Sequence, residues 1–177
     1  LALALAGLAA ACGGLCWVSV LFWRLVLRSR AEDQLHARII AGACAVGCIS
    51  LLGVLVAMAL GQYAVARACV LTGLWGFVVV VYVVVAHRMI PFFTSSAMPM
   101  VALWRPFWVL WLMLAAAALE VLAVWLELYG PVGTPAASAW MLLRGTLELA
   151  TGVVLLWLAS VWGLVRSLRN RRLAMFR

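Results

Sequence analysis

Few side chains in this chain could do chemistry: two histidines, His36 and His87, five cysteines, and four ionisable residues, Glu120, Glu127, Arg144 and Glu148, set in apolar surroundings. Imidazoles hold metals and haem iron, but two of them serve one cofactor only when they face a common cavity. His36 stands among Glu32, Asp33 and Arg38 and reads as a loop residue with access to water. His87 ends an apolar run immediately before Arg88 and is the better ligand candidate.

Arg144 and Glu148 are spaced i,i+4, which puts them on one helix face. Glu120 and Glu148 each lie eight residues from the facing ends of consecutive apolar stretches, Leu128 and Trp140. At 1.5 Å per residue both sit ~12 Å down an antiparallel hairpin. An unpaired charge at that depth costs at least ~2.5–3.5 kcal/mol. Arg144 is therefore expected to bridge Glu148 and Glu120. Such a cluster is either an ion, proton or ligand site, or a clamp or docking point between helices. Glu127 lies near enough to the helix end to be hydrated and is given no role.

Cys12 and Cys16 are spaced i,i+4, as are Cys44 and Cys48, while Cys69 stands alone. Paired thiolates would suit Cu(I), but cysteine is also a small buried hydrophobe, and Ala43, Gly47 and Ser50 beside the second pair favour packing. Ten tryptophans are mostly placed where an interfacial aromatic belt needs them. No phosphate loop, nucleotide fingerprint, HExxH or serine elbow is present, so no catalytic residue is assigned and an enzyme is less expected than a non-enzyme.

The elements that must position these residues follow from composition. Of 177 residues 69% are hydrophobic and 10% charged, with mean hydropathy +1.19. That composition excludes a water-soluble globule, and nucleic acid or a soluble nucleotide as partner. The net charge of +8 comes from 13 arginines at the ends of apolar runs, a pattern of membrane topology. The chain reads as an all-α transmembrane bundle of about five spans, at 1–23, 39–63, 69–87, 104–128 and 139–165, forming one domain over 1–177. Eleven arginines on one face against Arg67 on the other put the amino end outside and the carboxyl end inside. Pro91 is expected to stop the third helix, freeing carbonyls near residues 86–88 beside Arg88, Thr94, Ser95 and Ser96. A start at Leu1 and a basic stretch over 166–177 read as part of a longer frame.

The run Val85-Ala86-His87-Arg88-Met89-Ile90-Pro91-Phe92-Phe93-Thr94, with the basic stretch Arg166 to Met175, resembles the NnrS family, with most weight on residues 85–96 and an expected extent of about 40–177. The resemblance implies a multi-pass protein of the bacterial inner membrane, associated with haem b, copper and the nitric oxide response. Of the positions it implies, His87 and Arg88 carry over as cofactor-binding residues, and His87 as a metal ligand. The alternative reading is a non-catalytic accessory transmembrane subunit packed against other membrane protein subunits of a larger respiratory or photosynthetic complex.

Overall fold

The computed structural model describes residues 2–30, 34–97, 106–130 and 133–161. Of these 93% are helical and none lies in a strand. The helices are α1 (Ala2–Arg28), α2 (Leu35–Ala59), α3 (Tyr63–Gly73), which runs through a π-helical stretch (Leu74–Val79) into α4 (Val80–Ala97), α5 (Phe107–Tyr129) and α6 (Pro135–Val161). Five of the helices are long and apolar enough to cross a membrane, the third being the composite Tyr63–Met89. Helix is the outcome even for the valine-rich stretch from Val78, because in lipid the backbone must satisfy its own hydrogen bonds.

Two helices outrun their apolar stretches. α2 starts at Leu35, four residues before the hydropathy rises, because its first turn closes on Gln34: the Arg38 amide donates to the Gln34 carbonyl at 2.9 Å. The Arg38 guanidinium donates to Gln34 Oε1 at 3.2 Å, and Gln34 Nε2 donates to the Ser29 carbonyl at 2.6 Å. α4 does not stop at Pro91 but continues to Ala97, which corrects the expected helix end. Proline at 91 removes the donor to the His87 carbonyl and crowds that carbonyl, yet the backbone stays helical past it. The side chains of 90–97, Thr94 to Ser96 among them, lie outside those described, as do Arg105 and the basic stretch from Arg166.

The turn from α2 to α3 is a helix cap with two backbone bonds, Gln62 N to Ala57 O at 2.8 Å and Gly61 N to Met58 O at 3.2 Å. That pattern needs a left-handed residue, and Gly61 supplies it with φ 71°.

α2 is the central helix, packed against α1, α3, the π stretch and α4. Lipid gives helices no hydrophobic reason to associate, so close van der Waals approach must hold them. Glycine makes that approach possible here. A Cβ on Gly47 would stand 2.8 Å from the Phe77 ring, one on Gly76 2.8 Å from Val46, and one on Gly53 2.7 Å from Cys69 Sγ. The α4–α5 seam is built on Val83, Val84 and Leu110, with Ile39 and Ile40 of α2 against them. Thr72 of α3 donates to the Ala68 carbonyl and accepts from Trp125 Nε1 of α5, both at 2.9 Å, so a hydrogen-bonded pin joins these helices just before the π stretch.

Candidate functional site

Crossing order sends the start of α2, the far part of α4 and the start of α5 to one end of the bundle. There His36 Nε2 lies 3.3 Å from His87 Nδ1. Each histidine is only 3% exposed. Their rings stack at 22° with centroids 5.6 Å apart, and Phe107 closes the group at 6.1 Å from each. His87 Nε2 lies 3.3 Å from the Pro106 carbonyl.

His36 is thus a buried helical residue and not a hydrated loop one. The extra turn at the start of α2 is what carries it under Phe107. A carbonyl can only accept, so the bond to Pro106 is donated by His87 Nε2–H. That leaves Nδ1 of a neutral His87 as a bare lone pair aimed at His36. In the direct contact His36 Nε2–H is then the donor. Arg88, the next residue along α4, is exposed. No group of three or more His, Cys, Asp or Glu that could hold a metal occurs among the described residues.

The opposite end of the bundle holds the charge cluster. Arg144 Nε donates to Glu148 Oε1 at 2.6 Å, and one terminal nitrogen donates to Glu120 Oε2 at 2.7 Å. The other terminal nitrogen donates to Glu127 Oε1. One planar fork therefore serves three carboxylates, each with a separate nitrogen. Glu120 is the buried member at 13% exposure, Arg144 is 27% exposed, and Glu127 and Glu148 are about half-exposed. Glu127 belongs to the cluster, although its place near the helix end had suggested hydration alone. The signal was available: Glu120 and Glu127 are two turns apart and share a face.

The cysteines lie elsewhere. All five are free thiols. Ser19 of α1 donates to its own Leu15 carbonyl at 2.7 Å and contacts Cys48 Sγ at 3.4 Å, while Cys69 packs over Gly53. These sulfurs fill the α1–α2 and α2–α3 seams.

No curated protein and no solved structure matches this chain. A family model described as NnrS protein matches residues 1–177, a wider extent than the motif around Pro91 suggested. The multi-pass helical protein described above belongs to the NnrS family.

Proposed function

We propose that this NnrS-family membrane protein serves the nitric oxide response through a metal ion held by His36 and His87. The observation carrying this reading is the contact between two buried imidazoles 51 residues apart in sequence, with ring nitrogens 3.3 Å from one another. Two imidazole nitrogens ~2.0–2.1 Å from one ion at a tetrahedral angle stand ~3.3 Å apart. The pair therefore needs little rearrangement to share an ion. What changes is the tautomer of His36, which must carry its proton on Nδ1 to turn a bare Nε2 toward His87. The second-shell contact that metal-bound histidines use, a ring N–H donated to a backbone carbonyl, is already present between His87 and Pro106.

Imidazole ligands suit copper as they suit zinc, iron and nickel, and the family's association with copper singles it out. A haem b held between the two rings does not fit. Its axial nitrogens stand about twice a ~2.0–2.1 Å bond apart with the macrocycle between them, and two imidazoles in stacked contact leave no slot for that plane. Bound at the pair, copper would supply a redox-active centre. Phe107 would keep water off the pair, and exposed Arg88 would anchor the end of the crossing to lipid phosphate. In the orientation that the arginine bias predicts, in a bacterial inner membrane, this end of the bundle faces the cytoplasm.

The test is metal content. The purified protein in lipid nanodiscs, loaded with Cu(I) and washed, should retain about one copper per chain by mass spectrometry. His36→Ala and His87→Ala should each lose most of it. Copper content that is unchanged in both variants would sink the proposal.

A further inference from the structure

The histidine end of the bundle carries an excess of positive charge. Arg38 stands two residues after His36 and Arg88 directly after His87, so the contact between the buried rings brings both arginines to one end. The end of α1 joins them, because Gln34, two residues before His36, donates from Nε2 to the Ser29 carbonyl at 2.6 Å. Arg28 and Arg30 flank that serine, and Arg24 lies about one turn before Arg28. All five arginines are exposed, and none pairs with a carboxylate among the described residues. Glu32 and Asp33 of the connecting segment lie outside those residues, and two acids against five arginines leave three positive charges in excess.

Arg38 is the organised member. Its guanidinium donates to Gln34 Oε1 at 3.2 Å, while the nitrogen of the same amide holds the Ser29 carbonyl. Gln34 thus braces the guanidinium beside Ser29 and Arg30 without neutralising it, since an amide carries no charge. A guanidinium presents its N–H donors as a fixed fork that matches phosphate oxygens. Beyond Arg38 the outward face of α2 turns apolar. Gly42, Ala45, Ile49 and Leu52 follow at helical spacing, and all are exposed. A braced cation at the end of a crossing, with an apolar face running from it into the membrane, matches the two parts of a phospholipid.

We propose that Arg38 and Arg30 bind the phosphate of an anionic phospholipid whose acyl chains lie along the outward face of α2. The apolar face selects a lipid over a free phosphate. The positive excess selects an anionic headgroup over a zwitterionic one, whose amine would return a positive charge to the patch. Arg67, exposed near the start of α3, lies at the opposite end of the bundle and serves as the control.

The experiment is native mass spectrometry of the full chain in a neutral detergent, titrated with phosphatidylglycerol or with phosphatidylcholine of the same acyl chains. The first phosphatidylglycerol should bind about fivefold more tightly than the first phosphatidylcholine. Arg38→Gln should cut that preference to twofold or less, while Arg67→Gln leaves it unchanged. Gln34→Ala keeps every arginine but removes the brace and should at least halve the preference, so the test survives if Arg38→Gln folds poorly. Equal binding of the two lipids overturns the proposal, as does a preference that persists in Arg38→Gln and Gln34→Ala. A fall of the same size in Arg67→Gln also overturns it, because net charge alone would then account for the binding. Inorganic phosphate added at matched ionic strength should leave the bound phosphatidylglycerol in place. Its displacement would make the site one for a free anion and overturn the lipid.

Discussion

Removing the single cation at the α5–α6 end tests whether the cluster acts as a unit. In Arg144→Gln, Glu120 loses the guanidinium that pairs with it while its side chain stays 13% exposed. Breaking a well-buried ion pair costs about 3–5 kcal/mol. Here Arg144 is 27% exposed and its other two carboxylates are near water, so about 2–3 kcal/mol is expected once screening is allowed for. Glu120→Gln removes one of three competing carboxylates and leaves the guanidinium two partners, so about 1 kcal/mol or less is expected. The double variant should cost little more than Arg144→Gln alone if the pair is coupled, leaving a non-additive part of about 1 kcal/mol. Unfolding free energies in bicelles, measured by steric trapping for the four proteins of the cycle, supply the comparison. Costs that add within ~0.5 kcal/mol would refute the cluster as a coupled unit and reduce it to neighbouring charges that water and lipid headgroups satisfy separately.

The seams and the paired rings give further outcomes. Gly47→Ala and Gly53→Ala, whose new methyl groups would stand 2.8 Å from Phe77 and 2.7 Å from Cys69 Sγ, should each cost about 1–3 kcal/mol; the same unfolding assay decides. Gly145→Ala, opening onto empty space, should instead raise stability by up to ~1 kcal/mol through helix propensity. Trp125→Phe leaves Thr72 bonded to Ala68 but deletes the indole donor, with an expected loss of about 0.5–1.5 kcal/mol. For the histidines, His36→Ala combined with His87→Ala should retain no less copper than either single variant, because one ligand left alone holds little; stepwise loss across the three would show independent sites.

What the sequence made legible follows from where its signals are strong. Long apolar runs bounded by arginines are enough for five spans. An i,i+4 Arg–Glu pair opposite a glutamate at equal depth is enough to place Arg144 between Glu148 and Glu120. Hydropathy fails at helix ends, where backbone hydrogen bonds continue past the apolar stretch. It therefore put His36 in a loop, although Arg38 closes a helical turn on Gln34. Pro91 was expected to end its helix because proline costs a backbone bond, yet the helix runs past it to Ala97. The π stretch from Leu74 to Val79 is invisible to hydropathy; in the bundle its Phe77 packs over Gly47 and its Gly76 under Val46 of α2.

The two ends of the bundle solve opposite problems. At the histidine end the start of α2, the far part of α4 and the start of α5 converge on His36 and His87, each 3% exposed. At the glutamate end four charged groups share one hairpin, and only Glu120 is taken inside. Burying the other two carboxylates around one guanidinium would strand negative charge in hydrocarbon. Glu127 lies two residues from the end of α5, while Glu148, one turn beyond Arg144 on α6, stays about half-exposed. α6 packs against α5 and keeps Glu148 at its surface, within reach of Arg144.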